Sequence, residues 1–278
     1  MKTLLTLISC LCIVLTLTAQ KPIATQVTGQ GDPVLLLPGF ASTHVVWEET
    51  VKNFGDSHEM HTVNYAGFGE LAPLKGHWLP QVLEALKDYL YEQGSKEWII
   101  IGHSLGGTIA TWLAAQPELN IREIVIVDGL PATGALIFPN FDPEQLQYDS
   151  PYNTQMMNME EAAFGQMAAG MAQGLATDTQ HQELIKKSIL ASDRKTYVHG
   201  YTDYLKLDLR SHLDRINLPV TILAAGQPYG TSLVQQTYTN QYASLADYDL
   251  IIREDSKHFI MFDAPDWFHD QLAAILKP

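Results

Sequence analysis

The chain has 278 residues, 46% of them hydrophobic and 17% charged, which suits one large folded core and excludes a disordered chain. Its formal net charge of -14 and its lack of basic clusters exclude nucleic acid as a partner, because phosphate binding needs Lys and Arg gathered on one face. A soluble, well hydrated surface accounts for the acidity.

In chain order the first element is "MKTLLTLISCLCIVLTLTAQKP". Lys2, an apolar segment from Leu4 to Leu17 and small residues ending at Ala19 have the pattern of a secretory signal, and the run is short for a membrane span. Residues 1–19 are therefore expected to be removed after Ala19, leaving a secreted or periplasmic chain with no membrane span. "LISC" superficially matches a lipoprotein box, but only nine residues precede Cys10. Both cysteines of the chain, Cys10 and Cys12, fall in this segment. The mature chain would then hold no disulfide, no thiol nucleophile and no Cys-ligated zinc.

Short runs rich in Val, Ile and Leu that end in turn residues follow. They are "PVLLLPGF" from Pro33, "MHTVNYAGFGE" from Met60, "EWIIIG" from Glu97, "REIVIVDG" from Arg122, "PVTILAAG" from Pro219 and "YDLIIRED" from Tyr248, and each predicts a strand. Helices are predicted between most of them, among them Pro80 to Gln93, Gly106 to Gln116 and Ser232 to Ala243. Near-continuous apolar strands separated by helices require a mostly parallel central sheet flanked by helices, an α/β architecture. From Leu130 to Ile216 no strand pattern occurs, only Met-rich and Tyr-rich helical sequence. The expected division is a core of residues 20–129 and 217–278 interrupted by a helical cap insertion, residues 130–216.

Ligands of a parallel α/β sheet sit beyond the carboxyl ends of its strands. There Gly102-His103-Ser104-Leu105-Gly106 matches G-x-S-x-G, the nucleophile elbow, in which a strained serine stands between strand and helix. Glycines on either side leave room for the turn, and the Leu105 N–H at the helix start faces the place where an oxyanion would form. Two other readings compete. A phosphate loop would need Lys after the second glycine, whereas Thr108 follows Gly107 directly, and a plain strand-to-helix turn would carry the serine incidentally.

With "VLLLPGF", "VNYAGFGE" and "DSKHFIMFDAPDWFHDQLAAIL" added to the elbow, nearly the whole mature chain resembles the α/β-hydrolase superfamily. The resemblance implies a serine hydrolase without a cofactor, with the Phe40 N–H as an oxyanion donor although Pro38-Gly39 stands where His-Gly is usual, and with His258 as general base. Elimination also favours His258 among the ten histidines. His103 beside the elbow is expected to pack or hydrogen-bond under the turn. His58 and His61 are one residue short of the spacing of H-E-x-x-H, so a surface role is expected and no metal. His269 falls within the last helix, solvated or packing.

The acid departs from the family's common pattern. After "PVTILAAG" the chain continues Gln227-Pro228-Tyr229-Gly230, with no carboxylate until Asp247. One strand earlier "EIVIVDGLP" ends in Asp128, which keeps the order Ser, Asp, His; the competing reading is a carboxylate that caps the turn before Pro131. Asp255 shares the loop of His258, and Asp263 suits a helix cap before Pro265.

In the insertion "YNTQMMNMEEAAFGQMAAGMAQGL" spreads five methionines over about six helical turns, and Met167 and Met171 are candidates for contact with an apolar acyl group. Ordinary core packing is the alternative. Gly165, Gly170 and Gly174 lower helix propensity and would suit a moving lid. The expected activity is that of a carboxylesterase on small to medium apolar esters, a small-molecule substrate class. An amide or lactone hydrolase, an acyltransferase, or a binding protein that has lost its acid are the alternatives.

Overall fold

The computed structural model describes residues 20–138 and 140–277; the signal expected at residues 1–19 lies outside them. Seven strands, β1 (Ile23–Thr28), β2 (Asp32–Leu37), β3 (His58–Tyr65), β4 (Trp98–His103), β5 (Ile121–Val127), β6 (Val220–Ala225) and β7 (Asp249–Arg253), form one sheet in the order β1-β3-β2-β4-β5-β6-β7. All neighbours are parallel except β1, which runs antiparallel to β3. All six residues of β4 and of β6 are buried, as strands covered on both faces require. Around the sheet lie α1 (Glu48–Phe54), α2 (Trp78–Glu92), α3 (Leu105–Ala114), α9 (Thr231–Gln241), the short α10 (Ile260–Asp263) and α11 (Pro265–Ile275), and between β5 and β6 stand α4 (Thr133–Ile137), α5 (Pro151–Met157), α6 (Glu161–Leu175), α7 (Thr179–Leu190) and α8 (Tyr201–Lys206).

The register places the strand ends that matter side by side. Leu37 pairs with Gly102, His103 with Val127 and Val127 with Leu223, so the residues that follow β2, β4, β5 and β6 share one edge of the sheet.

Several expectations change. Strand β1 has no apolar run, because an edge strand paired on one side keeps "QVT" in solvent. Its presence puts β3 inside the sheet. His58 and His61 are 2% and 1% exposed and have no surface role: His58 pairs with Asp32 of β2, and the His61 ring packs against Tyr89 and Trp98. The His61 ring hydrogen-bonds Tyr89 Oη at 2.5 Å and Glu59 Oε1 at 2.6 Å. The Met-rich stretch is two helices rather than one, broken at Asn158. Arg194 closes that break, donating to the carbonyls of Met156 at 3.2 Å and Met159 at 2.9 Å while its guanidinium lies 3.7 Å over the Phe164 ring.

Asp263 does not cap α11, whose preceding residue is Ala264 with no side-chain cap. Its carboxylate accepts instead from Lys257 N at 2.9 Å, Thr177 N at 2.8 Å and Thr177 Oγ1 at 2.9 Å, tying the loop of His258 to the turn between α6 and α7 of the insertion. His269 packs α11 on α1, near Thr50 and Asn53 and against Phe54. Later in the insertion Asp203, 7% exposed, caps α2 by accepting from Trp78 N at 2.6 Å and Leu79 N at 3.0 Å.

Candidate active site

Ser104 stands at φ 54°, ψ -118° between β4 and α3, a conformation that costs a non-glycine residue about 1–3 kcal/mol. Its neighbours account for it. A Cβ on Gly102 would lie 2.1 Å from the Gly106 carbonyl oxygen, and one on Gly106 would lie 2.2 Å from the Leu37 carbonyl oxygen, so only glycine lets α3 start this close to the sheet. Backbone bonds close the turn: Ser104 N donates to Val127 O at 2.8 Å, and Ser104 O accepts from Gly107 N at 2.9 Å and Thr108 N at 3.1 Å. Ala41 after β2 and Asp128 after β5 are also left-handed, at φ 54° and 48°. Strained residues cluster where side chains must be aimed at one point.

Asp128 lies across from the elbow. Its Oδ2 accepts from His258 Nδ1–H at 2.6 Å, and its Oδ1 accepts from Ala225 N and from Tyr238 Oη, each at 2.9 Å. None of these donors belongs to the turn before Pro131, so the carboxylate is spent on the ring and on β6. Burial pushes its pKa up, but the His258 hydrogen bond and charge, with Ala225 and Tyr238, outweigh burial and hold it below the usual carboxylate range. The bond at Nδ1 leaves Nε2 of His258 without a proton to lose and free to accept one.

His103 is 1% exposed and lies under both turns. Burial, then the charge of His258, lowers its pKa to about 3; it is therefore neutral, with Nε2–H donating to the His258 carbonyl at 3.0 Å. Its unpaired Nδ1 faces Gly39, where an added Cβ would come within 2.9 Å. The same Cβ would be 3.3 Å from Ser104 Cβ, so the turn after β2 runs directly beside the serine. Among the described residues, neither Phe40 N–H nor Leu105 N–H has a backbone hydrogen-bond acceptor.

These groups open on a cavity of about 640 Å³, within the range of small-molecule sites. Ser104, Asp128, His258 and Phe40 line it, with Met171 and Leu175 from α6 and Tyr197, Tyr201 and Tyr204 from the turn and helix before β6. Among the described residues no Lys or Arg lines it. Met167 does not reach it. One turn earlier on α6, Met167 packs on the core, because only the C-terminal turn of that helix meets the cavity. Met171 accepts at Sδ from Tyr197 Oη, 3.3 Å away. The sequence reading passed over the three tyrosines, although their spacing of four and three residues is that of one helix face. It also passed over Tyr238, which no local pattern connects to Asp128. No cluster of three or more metal-binding side chains occurs among the described residues.

A strained serine on a G-x-S-x-G turn, a half-buried Asp–His pair and two unspent amides at the carboxyl edge of a mostly parallel sheet define the hydrolase class of α/β enzymes. The model of the alpha/beta hydrolase family matches residues 34–271, and the chain belongs to that family. It is 25% identical over 199 residues to the pimeloyl-[acyl-carrier protein] methyl ester esterase of Vibrio cholerae, covering 70% of this chain and 75% of that protein. The corresponding esterase of Aliivibrio fischeri is 25% identical over 211 residues, 72% and 76% of the two chains. Among solved structures, an esterase from Exiguobacterium antarcticum superposes with TM-score 0.75 at 15% identity, over 92% of this chain and 96% of that one. The enol-lactonase from Burkholderia xenovorans does so with TM-score 0.75 at 14% identity, over 91% and 96%.

Proposed function

We propose that the protein is a serine carboxylesterase that cleaves small to medium neutral, apolar esters through an acyl-enzyme on Ser104. The observation that carries this reading is the 2.6 Å bond between Asp128 and His258 beside a serine that the backbone strains to expose. His258 Nε2 takes the Ser104 proton as Oγ attacks the carbonyl. The Phe40 and Leu105 N–H groups hold the oxyanion, and Asp128 stabilises the imidazolium without itself taking the proton. His258 then protonates the departing alkoxide, and water, activated by the same ring, releases the acid.

The lining supports the substrate class, since a cavity to which the described residues bring no Lys or Arg offers a carboxylate or phosphate no bidentate guanidinium or ammonium partner. The esterase names of the relatives agree with the bond type. The reading as a binding protein loses its one support, because a carboxylate does orient His258. For the chain's destination we infer export: Lys2, the apolar run to Leu17 and the confinement of both cysteines to residues 1–19 support it.

A fluorophosphonate should form its adduct on Ser104, seen by mass spectrometry, and Ser104→Ala should lose labelling together with about 10⁴-fold or more of kcat on chromogenic esters. An active, labelled Ser104→Ala protein would end the serine reading.

A further inference from the structure

Tyr204 is 5% exposed, yet its hydroxyl reaches the cavity wall. In the sheet order β2-β4-β5 the Phe40 turn occupies one flank of Ser104, and the other flank belongs to the segment after β5. Tyr204 stands over that second flank, joined to it through two threonines. Thr133 Oγ1 is 2.7 Å from Tyr204 Oη, and Thr108 Oγ1, 3.4 Å away, donates its single proton to the Leu130 carbonyl at 2.8 Å. Thr133 makes no other side-chain hydrogen bond among the described residues. The pair can therefore orient either way, and when Thr133 donates, the Tyr204 proton is left for the long contact to Thr108 Oγ1 or for a better placed acceptor in the cavity.

Two further facts suit a donor. Burial raises the phenol pKa against the nearby Thr108, Thr133 and Ser104 hydroxyls, so the hydroxyl stays protonated at working pH. The helix that carries it is anchored, since the adjacent Asp203 caps α2 and the carbonyl of Leu205 lies where a Cβ on Gly134 would be, 2.1 Å away. A donor on an anchored helix is preorganised, and it loses little in reorienting as charge develops.

We propose that Tyr204 is a catalytic residue, its Oη–H donating a hydrogen bond to the alkoxy oxygen of the bound ester, and that it equips the site to expel alkoxides of ordinary alkyl alcohols. This rests on the serine reading above. When the tetrahedral intermediate collapses, the bond between carbonyl carbon and alkoxy oxygen breaks and its electron pair stays on that oxygen. His258 delivers the proton it took from Ser104, and Tyr204 keeps its own, stabilising the partial charge while the bond lengthens. The oxyanion is served from the opposite flank by Phe40 and Leu105. A leaving group that is already a weak base, such as p-nitrophenolate, gains little from the extra donor.

The test compares an ethyl and a p-nitrophenyl ester of the same acid by kcat/KM, which reports the acylation step in which the alkoxide leaves. Tyr204→Phe should lose about 10²-fold on the ethyl ester and stay within about threefold on the p-nitrophenyl ester. Thr133→Val, which leaves the phenol in place without its partner, should show the same selective loss in smaller measure. An equal loss on both esters, or none, in folded variants would overturn the proposal. Fluorophosphonate labelling of Ser104 in the wild type, in which fluoride is the leaving group, tests the serine reading by itself. Failure of the wild type to label would instead overturn the serine reading, and this proposal with it.

Discussion

The glycines at the carboxyl edge of the sheet and those of the insertion do opposite things. At the edge, added Cβ atoms on Gly102 and Gly106 would fall 2.1 Å and 2.2 Å from backbone oxygens; on Gly165, Gly170 and Gly174 of α6 they would meet nothing within 4 Å. The first set is dictated by contact, because strand and helix backbones approach as closely as atoms allow. The second set is dictated by nothing in the folded chain, and it only lowers the helix propensity of α6. The contrast separates a catalytic edge with no room for adjustment from a cavity wall that tolerates change, and each prediction below presses on one side of it.

The largest effect belongs to the edge. Asp128→Asn keeps the shape but replaces the acceptor of the His258 Nδ1–H bond, so kcat should fall by about two to four orders of magnitude with the fold retained. Turnover at the wild-type rate would make Ser104 and His258 a dyad and reduce Asp128 to a structural carboxylate.

Gly106→Ala forces a Cβ against the Leu37 carbonyl and pushes α3 off the sheet. Thermal or urea unfolding should show a loss of at least about 1–3 kcal/mol, and Ser104 labelling should fall with it. A variant as stable as the wild type would mean that the approach of helix to strand is looser than the contact implies.

Within the insertion, Met171→Ala and Met167→Ala should part company. Met171 lines the cavity and Met167 does not, so only the former should shift relative kcat/KM between short and long acyl esters, with about 1–3 kcal/mol at stake. Met167→Ala should lower the melting temperature and leave chain-length preference alone. Equal shifts in preference would place both on the acyl path.

The smallest effect comes from Gly165→Ala and Gly170→Ala, each expected to stabilise by up to about 1 kcal/mol, read as a rise in melting temperature with kcat unchanged. A rise accompanied by a fall in kcat would show that α6 must move during turnover, the stability cost then serving flexibility.

How much of this was legible beforehand varies with the range of the interaction. The six apolar strands and the G-x-S-x-G turn could be read directly, because a buried parallel strand and a strained turn write their requirements into adjacent residues. The edge strand β1 could not, since its partner on one side supplies the hydrogen bonds and its side chains need no apolar run. His58 and His61 were misplaced for a like reason, since no adjacent residue marks the Tyr89 and Trp98 rings that bury His61. Asp263 looked like a cap by its distance from Pro265, yet its donors come from Thr177 and Lys257.

Local chemistry, then, was settled within windows of a few residues: the order of strand, elbow and helix, the interruption between β5 and β6, and the candidacy of Ser104 and His258. The tertiary structure decided which candidates meet. Asp128 and His258 are separated by 130 positions, and their contact exists because β5, β6 and β7 are successive neighbours in the sheet, with Asp128 after the first and His258 after the last, an arrangement that no short pattern encodes. Met167 and Met171 share one helix face by period, so periodicity cannot tell them apart; only the place where α6 ends against the cavity does. Tyr204 meets Thr133 across 71 positions for the same reason: a hydrogen bond between distant segments is fixed by how whole elements pack, and packing is a property of the closed chain.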